Sequence, residues 1–437
     1  MRGLLFAISI STLLCHSHLS MAAVARDQVK SDVEHTSLQY FLDNANPDTG
    51  LVRDSAENFV ATPATNNIAS MSSTGFSLSV ITNAALRGMV TREFAESYAL
   101  KVVKFSRDHV ERRKGWFAHW VDWTSGARAW QCEFSTIDTA LFMAGAMYAA
   151  QVFPGGELAS IVHQLYLDMD FPDMLTDGGA QPNKLTVSMA YFPGEGYTAA
   201  QWDMYAEQKI LLIMGLGHPL HPLPASTWLA WNRRAPNLPA TSNIMGIDGA
   251  LFIHQYSDLY IDFRGFRDQF PNYFANSVAL SQFQRSLIQT PQKFKTLQKG
   301  FWAFSAGEAP NNSYRVYSAL NYSSTVCLGC VTGSAMFLAQ EVLDDVSEWI
   351  NGSYHDQIWG RYGFTDSIDL DQNWFSQNVL GITVGPEFLS LANTTAETSI
   401  WNVFMTIPEI REGLKRAELA SGGTPTQVLF PSLTSSY

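Results

Sequence analysis

Cysteine is scarce in this 437-residue chain: four are present. Only Cys132, Cys327 and Cys330 lie beyond the N-terminal apolar segment, too few for a disulfide framework. Cys327-Leu-Gly-Cys330 is a CxxC with no second pair and no histidines at zinc spacing, so a local disulfide or two thiols is expected there, not a metal site. Charge is also sparse, at 16% of residues, with Lys+Arg 28 against Asp+Glu 40 and a net −12. No basic run occurs, which argues against a nucleic-acid partner. No apolar run after the N-terminus is long enough to span a bilayer. There is no GxSxG elbow, no HExxH helix and no phosphate loop. The DxD at Asp369–Asp371 lacks the glycine and terminal glutamate of an EF-hand, so no metal or other cofactor is expected. No Pro/Gly/Ser-rich linker breaks the chain, which favours a single domain over 26–437 although that length exceeds the usual domain size.

Arg2, an apolar run from Leu4 to Leu14, and Ala23-Val24-Ala25 have the pattern of a secretory leader. Cleavage is expected near Ala25, or else after Ala22. Cys15 follows Leu14 and not a small residue, so no lipoprotein site is expected. The mature protein would be periplasmic or secreted.

Helical periodicity dominates the rest. Thr91 is placed to cap REFAESYALKVVKFSRDHV and Ser135 to cap TIDTALFMAGAMYAAQVF, with another helix over FSLSVITNAALRG before Gly88. Further helices are expected near 157–168, 198–214, 272–287, 334–350, 387–391 and 399–404. Strand-like alternation is confined to loops such as 186–192. Stacked helical hairpins follow, but periodicity does not establish whether they close into a ring.

The segment Gln201–Gly217, QWDMYAEQKILLIMGLG, places Asp203 and Glu207 four residues apart, on one face if the segment is helical. A carboxyl heading an apolar stripe is costly unless paired or used, and burial gives it the raised pKa of a general acid. Three loops mix acids with rings: Gly115–Asp138 with His119, Trp120, Asp122, Trp130, Glu133 and Asp138; Phe252–Asp268 with His254, Tyr256 and Arg264; and Trp359–Gln377 with Tyr362, Asp366 and Trp374. Flat rings pack on sugar C–H faces and the polar groups bond hydroxyls, while glycoside hydrolysis needs two carboxyls in different protonation states. Bland readings stand beside these: Asp138 serves as cap or helix-end structure, His254 is a satisfied core histidine, Asp203 pairs with Lys209 or a loop donor, and the aromatic content of 13% reflects core.

Five stretches in order, STGFSLSVITNAALRGMVTREFA, ARAWQCEFSTIDTALFMAGAMYAA, QWDMYAEQKILLIMGLGHPLHPLP, FIHQYSDLYIDFRGF and YGFTDSIDLDQNW…GITVGPEFL, resemble the glucoamylase-like domain. That group includes glycoside hydrolase family 144 and related endo-β-1,2-glucanase families, and the likeness runs from Phe41 to Leu414. It implies an all-α (α/α)6 toroid around a central cleft and inverting endo-hydrolysis of β-1,2-glucan to sophoro-oligosaccharides. It also implies Glu207 as general acid and Asp366 as general base, with Glu133 and Asp138 lining the cleft. Trp130, Trp202, Tyr205, Tyr362 and Trp374 are then candidates for stacking sugar rings, and Asp122, Asp203, His254, Tyr256 and Arg264 for bonding hydroxyls. The segment Phe304–Val331 departs from the family pattern and is expected to border the cleft. A transglycosylase, an exo-acting enzyme and a non-catalytic glucan-binding protein remain alternatives.

Overall fold

The computed structural model describes residues 25–61, 66–233, 245–246, 249–270, 272–290 and 292–421. The expected leader, apart from Ala25, lies outside them. Among the described residues, no helix is long and apolar enough to cross a membrane.

The chain is an all-α (α/α)6 double ring, and its helices sort by burial. Met71–Leu86, Thr136–Val152, Lys209–Gly217, Phe252–Tyr260, Leu328–Thr332 and Gly381–Ala392 are buried on nearly every face. Helices apolar all round belong inside a large protein, whereas those with one apolar stripe cover it. The covering set includes residues 25–44, Arg92–His109, Gly156–Leu167, Tyr273–Ser286, Ala339–Ile350 and Pro408–Arg416. Inner and outer helices alternate over most of the chain; among the described residues Lys209–Gly217 and Phe252–Tyr260 are two inner helices in succession.

Closure of the inner ring, which periodicity left open, follows from the contacts. Met71–Leu86 packs on Thr136–Val152, that helix on Lys209–Gly217, and that on Phe252–Tyr260. The next step is made by Gln255, whose Nε2 donates to the carbonyl of Cys330 (2.9 Å) and to Ser334 Oγ (2.9 Å). Leu328–Thr332 then packs on Gly381–Ala392, which returns to Met71–Leu86.

Glycine sets the closest approach between the first two inner helices. A Cβ on Gly145 would lie 1.9 Å from the Gly75 carbonyl oxygen, and one on Gly75 would lie 2.5 Å from that of Leu141. Backbone, unlike a side-chain tip, cannot give way. Gly145→Ala is therefore expected to cost about 3 kcal/mol, the upper part of the overpacking range. Urea denaturation checks this, with a lower midpoint at unchanged slope as the expected result.

Ser135 caps its helix as read in the sequence, accepting from the Asp138 N–H at 3.3 Å, and Thr91 accepts from Phe94 N–H at 3.2 Å. The first inner helix begins earlier than expected, at Met71 behind the cap Ser70. The expected helix over 198–214 is corrected to Lys209–Gly217. Residues 201–204 spend their hydrogen bonds across the chain instead. Gln201 Nε2 donates to Asp177 Oδ1 (2.9 Å), Trp202 N–H to the Val187 carbonyl (2.8 Å), and the Asp203 carbonyl accepts from Asn232 N–H (2.8 Å).

Short strands gather where the inner helices begin. Ile68–Ser70, Phe134–Ser135, Thr325–Cys327 and Asn378–Leu380 each run directly into an inner helix. Their partners include Trp120–Asp122, Ala190–Phe192, Ser367–Asp369 and Ser55–Glu57. This places loop side chains over one mouth of the ring. Cys327 and Cys330 form a disulfide at the start of the fifth inner helix, and Cys132 is a buried free thiol.

Candidate active site

A cavity of about 830 Å³ opens at that mouth, in the upper part of the range for small-molecule sites. Glu207 lines it. The residue lies in the turn before the Lys209–Gly217 helix, so the shared helical face with Asp203 is corrected: Asp203 is exposed and points elsewhere. Local bonds fix Glu207. Its carbonyl accepts from Ser257 Oγ (2.6 Å), which also accepts from Ile210 N–H (3.0 Å), tying the turn to the fourth inner helix. Gln208 folds back, its Oε1 accepting from Ala206 N–H (2.9 Å) and its Nε2 donating to the Met204 carbonyl (2.7 Å). Burial, helped by the charge of Asp138, pushes the Glu207 carboxyl up to about 7.

Beside it, Asp54, His119 and Asp138 line the same cavity. Asp138 serves both the helix end and the wall: its Oδ2 accepts from the hydroxyl of the cap Ser135 (2.6 Å) while its Oδ1 lies 3.5 Å from His119 Nε2. His119 Nδ1 is 2.7 Å from Glu133 Oε1, and its ring stacks on Trp120 with centroids 3.4 Å apart. Burial pulls the imidazole pKa down, but Asp138, Glu133 and Asp54 outweigh it and the net shift is upward. Burial likewise opposes ionisation of Glu133, and the bond and charge of His119 win, holding it below the usual range. Asp54 is pushed up by burial against the pull of His119.

The remaining wall comes from the Ala306–Ala309/Ser313–Val316 hairpin and from Trp374 to Leu380. Asp366 lies behind this wall, not on it: it is 1% exposed and is not among the cavity-lining residues. Its Oδ2 accepts from Glu308 N–H (2.7 Å) and Ser367 Oγ (2.8 Å), and its Oδ1 from Thr383 Oγ1 (3.1 Å). Burial and the neighbouring Glu308 charge push it up to about 7. The Tyr314 hydroxyl, on the hairpin, is pushed upward by burial and then by the charges of Asp366, Asp54, Asp138 and Glu207.

Of the other expected residues, Tyr256 and Trp374 line the cavity, and the Tyr256 hydroxyl donates to the Ile382 carbonyl (3.1 Å). Trp130 is 69% exposed, at φ 51°, and stands outside the lining with its ring 5.7 Å from Trp120. Several belong to the core. Trp202 Nε1 donates to Thr136 Oγ1 (2.9 Å). Tyr205 stacks on His254 at 4.9 Å, and both are fully buried; burial and Lys209 hold His254 well below its usual pKa. Tyr362 is buried edge-on against Tyr40 at 5.4 Å. Asp122 closes a turn, its Oδ1 accepting from Ser125 N–H (2.8 Å) and Thr124 N–H (3.1 Å). Arg264 pairs with Asp262 (2.6 Å) and lies over Trp401 (4.3 Å), away from the cavity. The lining also gathers Asp54, Glu308, Tyr314 and Asn378, none of them a candidate on sequence grounds. The departure of Phe304–Val331 from the family pattern was the available signal for two of them. Among the described residues, no group of three His, Cys, Asp or Glu side chains could hold a metal ion.

The family resemblance read in the sequence is borne out. Residues 199–408 match the Glycoamylase family model, described as "Putative glucoamylase". An exo β-1,2-glucooligosaccharide sophorohydrolase (non-reducing end) of Parabacteroides distasonis is 21% identical over 433 residues, spanning 90% of this chain and 58% of that protein. The chain therefore spans little more than half the length of this curated relative. The endo-β-1,2-glucanase of Chitinophaga pinensis, solved with sophorotriose and glucose, superposes with a TM-score of 0.80 at 22% identity, covering 91% of this chain and 99% of the other. A β-1,2-glucanase from P. distasonis gives 0.79 at 18% identity, covering 90% and 60%.

Proposed function

We propose that this chain, which carries the glucoamylase-like family's domain over residues 199–408, is a glycoside hydrolase that cleaves β-1,2-glucan internally to short sophoro-oligosaccharides. The observation that carries the reading is Glu207: a carboxyl pushed to about 7 on the wall of a roomy cavity lined by further acids and by Trp120, Phe252, Tyr256, Tyr314 and Trp374. A protonated carboxyl near neutral pH is the group needed to protonate a leaving glycosidic oxygen. The rings offer apolar faces to the sugars. Linkage is supported by relatives named for β-1,2-glucans.

Inversion requires a water between donor and acceptor, with carboxyls roughly 6.5–9.5 Å apart. Asp366 supplies the second carboxyl in this reading. It sits one layer behind the wall, so a proton leaving the water reaches it through an intervening group. On the apolar leader and its small-residue site, the protein is exported to the periplasm or beyond.

Incubation of the purified chain with linear β-1,2-glucan tests the cleavage mode. An early spread of oligosaccharide sizes is the expected result. Release of a single size from the outset would replace the endo reading with the exo mode named for the P. distasonis relative.

A further inference from the structure

Asp366 does not reach the cavity, so a different group touches the attacking water. We infer that Glu308 is the catalytic base: its carboxylate accepts the proton of the attacking water, and Asp366 is the positioning residue behind it. This inference rests on the proposed hydrolase reading and moves its proton acceptor from Asp366 to the carboxylate in front of it.

Four observations carry it. Glu308 lines the cavity and Asp366 does not. Two donors converge on the Glu308 carboxylate, Ser376 Oγ on Oε2 and Asn378 Nδ2 on Oε1 (2.9 Å), so the side chain is held in one orientation at the wall. The Glu308 backbone is pinned from behind, its N–H donating to Asp366 Oδ2 at 2.7 Å. A Cβ on the adjacent Gly307 would lie 2.7 Å from that same oxygen, so the strand rests directly on the Asp366 carboxylate with no room for a side chain between.

Ring order gives the fourth. Glu207 sits at the start of the third inner helix. The partners of Glu308 and Asp366, namely Asn378 and Thr383, sit at the start of the sixth. Third and sixth positions face each other across a closed ring of six. Donor and acceptor therefore come to one cavity from separate parts of the ring, with space between them for a sugar and a water.

The water oxygen bonds to the anomeric carbon as the bond from that carbon to the glycosidic oxygen breaks. The leaving oxygen takes the Glu207 proton, and Glu308 takes one water proton. Exchange with solvent returns both carboxyls to their starting states.

The alternative is that Glu308 only ties the hairpin to the segment carrying Ser376 and Asn378. Glu308→Gln and Glu308→Ala separate the two roles, assayed on whichever glucan the wild-type chain hydrolyses. Both variants are expected to lose about 100-fold or more in kcat, with KM little changed. Sodium azide is expected to restore turnover in Glu308→Ala, because azide attacks the anomeric carbon without giving up a proton, and the product is the α-glycosyl azide, visible by NMR. Glu207→Gln should not respond to azide on glucan, but should recover on an aryl glycoside whose leaving group needs no proton. A structural tie predicts neither rescue. The inference is overturned if Glu308→Gln keeps near wild-type kcat, if azide fails to raise turnover in Glu308→Ala, or if Asp366→Ala is the azide-rescued variant. Wild-type inactivity on every glucan would instead overturn the hydrolase reading and this inference with it.

Discussion

Glu207→Gln is expected to lower kcat on β-1,2-glucan by about 1,000-fold while leaving the fold and glucan binding intact. General acid catalysis contributes roughly 10²–10⁴, and the amide has nearly the shape of the acid but no proton to give. Retained activity would remove Glu207 from the chemistry. In the wild-type chain the carboxyl must be protonated to act, and its pKa is raised to about 7. The Glu207 limb of the pH profile should therefore fall as pH rises through about 7, while protonation of the base sets the acid limb. The same shift has a stability side of definite sign. The unfolded carboxyl titrates near 4.5, so the folded chain binds the proton more tightly than the unfolded one. Stability is then lost as pH rises from about 4.5 to 7, and the loss is complete above that. Glu207→Gln escapes it. The variant should match the wild type in urea near pH 4 and exceed it by about 2 kcal/mol near pH 8, part of the shift being relieved by cavity water.

Lys209→Met is expected to be the most destabilising single change near the site, at about 3–5 kcal/mol. Lys209 and Asp258 are both fully buried, with Nζ 3.4 Å from Oδ2. The ammonium also donates to the Tyr205 hydroxyl (3.2 Å). Burial pulls the Lys209 pKa down, but Tyr205 and Asp258 outweigh it and the lysine stays charged. Methionine fills the space and strands Asp258 as a lone carboxyl in the core. The damage should extend to function, because Lys209 begins the helix whose preceding turn carries Glu207. Thermal unfolding with a parallel assay checks both effects. A melting temperature within a degree or two of wild type would contradict the assigned role. Lys209→Met with Asp258→Asn should recover part of the loss, since the pair is removed together.

What could be read from the sequence was largely what local chemistry decides. Ser135 and Thr91 cap their helices through bonds to residues three positions on, and such contacts are visible in a linear string. Glu207 was singled out on an argument that holds only in part. Burial does raise its pKa, but no helix joins it to Asp203, because Gln201, Trp202 and Asp203 bond to residues 177, 187 and 232. Nothing within the segment announces those partners.

Aromatic residues misled for a related reason. A buried Tyr205, Trp202 or Tyr362 and a sugar platform share one composition: an apolar ring with a polar tip. Only packing distinguishes Trp374, on the cavity wall, from Trp202, bonded to Thr136 in the core. Asp54, Glu308 and Asn378 could not be assembled at all, since each reaches the site from a different part of the chain through strand pairings such as Ser55 with Leu380. Ring closure was equally non-local, resting at one step on Gln255 bonding to Cys330.

The central claim is that a β-1,2-linked glucan lies in this cavity with its scissile oxygen at Glu207. A crystal structure of the Glu207→Gln variant with a linear β-1,2-gluco-oligosaccharide tests it most directly. The account expects sugar rings against Trp374 and Tyr256, and one glycosidic oxygen within hydrogen-bond reach of the side chain at position 207. Saturating oligosaccharide bound elsewhere, or in the cavity with no glycosidic oxygen near position 207, would contradict it.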